Sequence, residues 1–526
     1  MSRQPRRAQT RAGAKAAFHS PSAAATIPQM LKAAIQHHQS GRLVEAKALY
    51  RRVLNVDGRH ADALHLLGVI DHQIGRNDDA VNRIGKAIAI NGTVPLYYLN
   101  YGVALKALGR LDDALASFDV ALRLKPDSAD AHCERAYILQ QLGRIGEALN
   151  AFEAASRLKP DSAETHANRG TALKELGRID EAVAAYDVAL RINPNFAEAH
   201  YNRAMMLLLL GQFEDGWRGY EYRWHVKARP GGQRRHTDSP RWRGEPGGGR
   251  TILLWAEAGF GDSIHFVRYV PMVIERGWRV VLEVPSPLTR LFAGIAGATV
   301  VAVGESLPPF DAQCPLLSLP LAHATTAETI PAAGPYLAAR RDAVAMWSNR
   351  LPREGLRVGI AWQGNPAHTN DRNRSFRLDE LARLAALPGV KLISLQKGAG
   401  VDQLANLSWA ASIHTLGADY DAGDFLDTAA VVMALDLVIG VDTSVVHLAG
   451  ALGRPAWVAL PWVPDWRWLE AREDSPWYPT VRLFRQNKPG DWDGVFVRIA
   501  GELCELQRIA AAASLRLYAD GAHSTR

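Results

Sequence analysis

Residues 109–126 read GRLDDALASFDVALRLKP, residues 143–160 read GRIGEALNAFEAASRLKP and residues 177–194 read GRIDEAVAAYDVALRINP. The three stretches share a beat of 34 residues, and the beat extends to both sides: Gly41, Gly75, Gly109, Gly143, Gly177 and Gly211 are each 34 apart. Five residues after each glycine stands a small residue, Ala46, Ala80, Ala114, Ala148, Ala182 and Gly216. Four further on stands a bulky one, Tyr50, Ile84, Phe118, Phe152, Tyr186 and Tyr220. Pro126, Pro160 and Pro194 keep the same period, with Gly58 and Gly92 in their slot earlier. A repeat of this length with this spacing predicts one helical hairpin per unit. The glycine ends the first helix in a tight turn. The small residue lets two helices approach, and the bulky one fills the space beside it. The proline stops the second helix. One hairpin leaves its apolar face bare, so the units are expected to stack into a solenoid with a concave surface.

The pattern resembles the tetratricopeptide (TPR) repeat family over residues 27–226, as five repeats and a terminal sixth hairpin. The resemblance implies that a protein or peptide binds in the groove; the plainer role is to hold the rest of the chain or to form dimers. Trp217, Tyr220, Tyr222 and Trp224 crowd the last hairpin. Terminal repeats are atypical, and these aromatics read as a cap that packs on the next domain. Residues 227–250, rich in glycine and proline, read as a linker.

From residue 251 the pattern changes. The apolar run TILLWA (251–256), the loop Gly259-Phe260-Gly261-Asp262, a helical stretch over about 263–276 and the strand Val280–Val284 open a doubly wound α/β sheet. A second series starts at Leu356, with strands at Arg357–Trp362, Lys391–Leu395, Leu437–Val441 and Ala456–Leu460 and helices near Phe425–Ala434 and from Ser444. The expected fold is therefore an α-helical TPR solenoid followed by an α/β unit of two Rossmann-like lobes, residues 251–345 and 346–510, in a GT-B arrangement. A basic lead (1–26), expected to be disordered, and a tail (511–526) flank them. A transit peptide is the other reading of the lead.

Three constellations bear on chemistry. In Val438–Leu452, a buried strand ends and a helix starts at Thr443 or Ser444, leaving unpaired N–H groups and the positive end of a helix dipole. Asp442, Thr443, Ser444 and His447 cluster there. Ordinary capping, with His447 packed on the sheet, explains the same residues. The stretch is similar to the donor-site motif of the lipopolysaccharide heptosyltransferases, an inverting GT-B family, which implies that these four residues hold a donor's diphosphate. A second similarity is Gly359–Asn365 followed by Asp371–Ser375, where Arg374 takes the place of the family's lysine beside Arg372, Gln363 and Asn365. A guanidinium can grip two phosphate oxygens at once. The third is Gly261-Asp262, implied to be the general base that takes the acceptor hydroxyl's proton; Asp262 as a helix cap is compatible with that role. Glu257 is the fallback base, and Gly259 and Gly261 shape the loop. Gln396, Lys397, Asp424 and Phe425 are expected on the nucleoside side. Asp465–Trp468 and Ser475–Pro479 read as aromatic packing between lobes, or as a segment that closes the cleft.

The expected activity is transfer of a sugar from a nucleoside diphosphate sugar to an acceptor hydroxyl, inverting and without metal or other cofactor. The layout is also similar to protein O-GlcNAc transferases. The alternative is a TPR interaction scaffold whose α/β unit binds a nucleotide sugar without turning it over; a sugar-nucleotide epimerase is a weaker rival. A net charge of +7 over 526 residues, partly in the lead, does not suggest a nucleic-acid partner. Cys133, Cys314 and Cys504 are far apart and form no disulfide framework, which suggests a reducing, cytoplasmic setting. No stretch reaches the roughly 20 apolar residues of a membrane span, and no HExxH or Cys/His cluster suggests a metal.

Overall fold

The computed structural model describes residues 26–226, 234–368 and 370–523. Residues 1–25, where the basic lead is expected, and 227–233 of the expected linker lie outside them. The chain divides into two compact units, 1–160 and 161–526.

The first unit is four helical hairpins: α1 (Ile27–Gln39) with α2 (Leu43–Val56), α3 (Ala61–Gln73) with α4 (Asn77–Ile90), α5 (Pro95–Ala107) with α6 (Leu111–Leu124) and α7 (Ala129–Gln141) with α8 (Ile145–Leu158). Two more hairpins open the second unit, α9 (Ala163–Glu175) with α10 (Ile179–Ile192) and α11 (Ala197–Leu209) with the short α12 (Phe213–Tyr220). The six periodic glycines all turn the chain with φ between 73° and 79°, a region that side chains bearing a Cβ rarely enter. The residue after each glycine donates its N–H back across the turn, as Arg110 does to the Leu105 carbonyl at 3.0 Å, closing a Schellman cap.

The periodic alanines and the bulky residues from Tyr50 to Tyr186 are fully buried. A second small position, which the sequence reading passed over, faces the bulky one. A Cβ on Gly68 would sit 2.7 Å from Ile84, one on Gly102 2.5 Å from the Phe118 ring and one on Gly170 2.8 Å from the Tyr186 ring. Each large side chain thus occupies the space a missing methyl leaves on the first helix of its own hairpin. Ion pairs at equivalent positions two repeats apart tie neighbouring hairpins, Arg135 to Asp119 (2.7 Å) and Arg203 to Asp187 (2.6 Å).

The last hairpin is the cap the sequence suggests. Trp217 donates Nε1–H to the Thr325 carbonyl at 3.0 Å and meets Trp466 edge-on. Arg223, fully buried, holds Glu221 and Glu257 at 2.7 and 2.8 Å.

Two parallel sheets follow. The first has the order β3-β2-β1-β4, with β1 Thr251–Trp255, β2 Arg279–Val284, β3 Ala298–Ala302 and β4 Ala312–Pro315. The second has the order β6-β5-β7-β8-β9, with β5 Leu356–Ala361, β6 Val390–Ser394, β7 Leu437–Val441, β8 Ala456–Leu460 and β9 Val481–Arg485. Strands β3, β4 and β9 did not stand out in the sequence: β3 is half exposed, β4 has four residues and β9 carries an arginine at its second and last positions. The closing helix, Trp492–His523, continues past residue 511, where a tail was expected. Strand order reverses between β1 and β4 and again between β5 and β7, and crevices in open parallel sheets form at such points, beyond the carboxyl ends of the strands.

Gly102→Ala is expected to destabilise the first unit by ~1–3 kcal/mol through overpacking against Phe118. Urea denaturation followed by circular dichroism reads the shift, and an unchanged midpoint would show that the ring has room to move.

Candidate functional site

The segments leaving β1, β5 and β7 bring Asp262, Arg374 and Thr443 to the two reversal points. Beyond β1, Gly259 caps the helix Phe260–Phe266 in extended geometry, and its N–H donates to Asp262 Oδ2 at 3.0 Å. Asp262 is therefore a cap, as one reading of the sequence holds. Its other oxygen accepts from Arg467 Nη2.

Beyond β7, Thr443 is the N-cap of the helix Ser444–Ala451, and its side chain makes no cap hydrogen bond. The Thr443 hydroxyl is buried without a hydrogen-bond partner. Gly261 brings the two helix starts together: a Cβ there would lie 3.0 Å from the His447 ring and 3.5 Å from the Ser444 nitrogen. Both ring nitrogens of His447 are engaged, Nε2 with Asp442 Oδ1 at 3.2 Å and Nδ1 with the Tyr478 hydroxyl at 3.0 Å, and its face stacks on Trp468. The Tyr478 hydroxyl also meets His265 Nδ1 at 2.9 Å. His447 is thus locked inside a chain of polar groups that joins the two sheets.

Beyond β5, the Gly364 N–H donates to Ser375 Oγ, which in turn donates to Asp371 Oδ1, each at 3.0 Å. Arg374 donates Nε–H to Asp371 at 3.2 Å and Nη1–H to the Asp442 carbonyl at 3.0 Å. Gly364 has no room for a side chain, since a Cβ would stand 2.5 Å from Arg374 Nη2. Arg374 is thereby anchored at the start of the Ser444 helix. Arg372 is placed differently: its charge acts on Glu175 at the end of α9, whose carboxyl is raised by burial while Lys174 and Arg372 pull it down. Gln363 accepts from Gln403 at 3.2 Å, and exposed Asn365 accepts from the Ala367 N–H at 3.0 Å.

Of the residues expected near a nucleoside, Gln396 has its amide wholly taken up by backbone: it accepts from the N–H groups of Trp362 and Gln363 and donates to the carbonyls of Gln363 and Ala399. Its position is that of a clamp on the loop leaving β5. Lys397 donates to the Gly423 carbonyl at 2.9 Å above the Tyr420 ring, and burial lowers its pKa. Asp424 caps the helix Phe425–Met433 and accepts from Arg290 Nη1 at 3.2 Å, while Phe425 meets Phe260 edge-on at 5.1 Å. Glu257, the fallback base, is sealed at 1% exposure against Arg223, out of reach of an acceptor hydroxyl.

Three groups at the site escaped the sequence reading. Arg467 joins Asp262 to Asp465, accepted by Asp465 Oδ1 through Nη1 at 2.8 Å and through its own N–H at 3.1 Å. Burial raises the Asp465 pKa, Arg467 opposes this and Asp442 adds to it. His368 feels the charges of Arg374, Asp465, Asp262 and Asp442 together. Arg467 and Asp465 lie in a tryptophan-rich segment that reads as packing or as a cleft-closing segment, and His368 lies in the polar loop whose expected contacts are Gln363, Asn365, Arg372 and Arg374. The repeats also reach this region: a Cβ on Gly177, at the turn between α9 and α10, would be 2.5 Å from Trp462 Nε1, just after β8.

The TPR repeat family matches residues 102–143, 137–177 and 170–211. The chain is a TPR-repeat protein. Its TPR hairpins precede an α/β region with two parallel sheets. It is similar to the Protein FlbA of Caulobacter vibrioides, 29% identical over 318 residues that make up 55% of this chain and 52% of FlbA, so the chain spans about half the length of the curated relative it matches. Among solved structures it is similar to MamA (24% identity, 31% of this chain and 96% of that one, TM-score 0.29). YrrB, a TPR protein with an unusual peptide-binding site, is 22% identical over 33% of this chain and 90% of its own, with TM-score 0.30. PilF of Pseudomonas aeruginosa is 20% identical over 38% and 90%, with TM-score 0.35. Among the described residues no helix is long and apolar enough to cross a membrane.

Burial pushes the Asp442 carboxyl up, but the His447 hydrogen bond and the charges of His447, Arg467 and Arg374 outweigh it and bring the pKa down to about 2. A carboxyl lowered on folding stabilises the protein above its unfolded pKa of about 3.9, and that stability is lost as pH falls toward the folded value. Asp442→Asn is expected to cost about 2 kcal/mol at neutral pH. The gap from wild type should close as pH falls from about 4 toward 2, measured by urea denaturation across pH. A gap that does not change with pH would mean that the carboxylate's charge is not what stabilises.

Proposed function

We propose that this TPR-repeat protein docks a protein or peptide on its repeats and binds a nucleoside diphosphate sugar where its two parallel sheets face each other, as the two Rossmann-like lobes of a GT-B arrangement. One observation carries the reading of the α/β region. The Ser444–Ala451 helix begins without a side-chain cap, beside a buried and unpartnered Thr443 hydroxyl, with Arg374 fixed to the preceding carbonyl. Free N–H groups, a helix dipole and a guanidinium at one point suit a phosphate. The similarity of this stretch to the heptosyltransferase donor motif makes a sugar diphosphate the favoured form of that phosphate. The role of the repeats rests on the TPR match and on how stacked hairpins present an extended surface.

Binding without turnover fits the arrangement best, because both Asp262 oxygens are occupied. A second reading, inverting glycosyl transfer, is favoured by the carboxylates gathered there. In that reaction Asp262 or Asp465 takes the proton of the acceptor hydroxyl, whose oxygen bonds to the anomeric carbon. The bond from that carbon to the diphosphate oxygen breaks, and the departing negative charge falls to Arg374 and the helix start. A cavity of about 430 Å³ at the ends of β1 and β4, lined by Trp224, Arg234, Arg235, Trp255 and Gln313, offers space on the acceptor side.

Calorimetric titration with UDP, GDP and ADP should give saturable binding of at least one, weakened about tenfold or more in Arg374→Ala, since a bidentate charge-assisted contact is lost. Equal affinity in the variant would remove Arg374 from the site. Incubation with a panel of sugar nucleotides separates the two readings: release of nucleoside diphosphate that Asp262→Asn abolishes supports transfer, and binding with no release supports the scaffold.

A further inference from the structure

Arg467 follows β8 between two fully buried tryptophans, Trp466 and Trp468, and is itself 7% exposed. Its guanidinium lies over the Trp466 ring, 4.4 Å from the centroid, and 5.4 Å from that of Phe266. It carries two carboxylates from different parts of the chain, Asp262 beyond β1 and Asp465 beyond β8. Its Nε–H is buried with no hydrogen-bond partner. A guanidinium is an inventory of five donors with no acceptor, and a buried donor left unmade is costly. Arg467 is therefore saturated with charge but not with hydrogen bonds.

Its position matters as well. The charges of Arg467 and Arg374 both act on Asp442, the residue just before the open helix start. Arg467 holds Asp262, whose neighbour Gly261 would place a Cβ 3.5 Å from the Ser444 nitrogen, and Arg374 bonds the Asp442 carbonyl, so both guanidinia are tied to that helix start. Around them stand Asp262, Asp371, Asp442 and Asp465, four carboxylates against two guanidinium groups. A diphosphate brought into that set adds negative charge; the open Nε–H of Arg467 offers it one bond, and the Nη groups become available to it when Arg467 gives up one of its carboxylates. Asp465 is held twice, by side chain and main chain, whereas Asp262 is held by one Nη alone. Asp262 is the partner that can be released, and it keeps its bond to the Gly259 N–H when it is.

We propose that Arg467 is a phosphate-binding residue held in reserve on Asp262, which moves to the diphosphate when it binds and so leaves Asp262 with a carboxylate oxygen free to accept a proton. The proposal rests on the diphosphate reading of the site. It makes the ligand itself the agent that unmasks the base: without the diphosphate, both Asp262 oxygens are occupied, one by the Gly259 N–H and one by Arg467.

A double-mutant cycle tests it, with inorganic pyrophosphate as the probe, the full chain and titration calorimetry. Asp262→Asn retains an oxygen for the Gly259 N–H but gives Arg467 a neutral partner. It is expected to bind pyrophosphate about fivefold to tenfold tighter than wild type, because the ligand no longer competes for the guanidinium. Arg467→Gln should bind about tenfold more weakly. In the Arg467→Gln background the Asp262→Asn gain should disappear. If the gain persists there, its source is the loss of a nearby negative charge, and the transfer of Arg467 is refuted. Should Arg467→Gln fail to fold, Arg467→Lys serves in the cycle: it keeps the charge but not the forked geometry, and the same loss of the gain is expected. Wild-type binding that Arg374→Ala weakens, with Arg467 and Asp262 variants indistinguishable from wild type, would overturn this proposal and leave the diphosphate reading standing. No binding of pyrophosphate to wild type would overturn both.

Discussion

The helices Phe260–Phe266 and Ser444–Ala451 begin side by side, close enough that a Cβ on Gly261 would touch Ser444, and the arrangement of the α/β region follows from that approach. Space between the starts is tight, and a Cβ at Gly261 would press on the His447 ring at 3.0 Å. Each helix points its positive end toward the same small volume, an unfavourable arrangement unless negative charge is placed there. The chain supplies it as Asp262 and Asp442, and then supplies Arg467, Arg374 and His447 to balance the carboxylates. Buried ions are tolerated only when paired and hydrogen-bonded, and nearly every group here has at least two partners. What the arrangement leaves open, the Thr443 hydroxyl and one N–H of Arg467, is where a ligand would find bonds to make.

The aromatic mass beside this point has a mechanical role. Trp466, Trp477, Tyr478 and Phe266 enclose His265, and Trp217 from the last hairpin closes over Trp466. Such a dry surround strengthens every electrostatic interaction within it. It also buries the residues on either side of Arg467, Trp466 and Trp468. The Gly450 position belongs to the same packing, since a Cβ there would collide with the Tyr478 ring at 2.4 Å.

Legibility in the sequence followed the range of the interactions. The hairpins repeat a local rule six times, and a left-handed glycine followed by small and bulky residues at fixed offsets is visible in one dimension. The strands β1, β2, β5, β6, β7 and β8 stood out because each is an apolar run long enough to be buried on both faces. The positions of Asp262, Arg374 and Thr443 could be read because strand-to-helix junctions carry their own chemistry. Arg467 could not. Its partner Asp262 is 205 residues away, and its neighbours are tryptophans, which say packing before they say charge. Gln396 failed for the opposite reason: a polar residue after a strand looks like a ligand contact, yet four backbone groups claim it. Whether a polar side chain is free or already satisfied depends on groups brought in from elsewhere, and no spacing rule reports that.

The turn at Gly177 has a consequence for how the molecule can be taken apart. Its αL conformation and its bare Cα, set against the Trp462 indole, make the fifth hairpin a piece of the sheet-bearing body as well as a link in the repeat series. The natural seam of the chain lies near Pro160, inside the repeats, and not at the change from helices to strands. A fragment meant to carry the α/β region alone would therefore have to keep the final two hairpins, and one cut at residue 251 would lose Phe213 and Trp217 from the buried Trp477 and Trp466 rings.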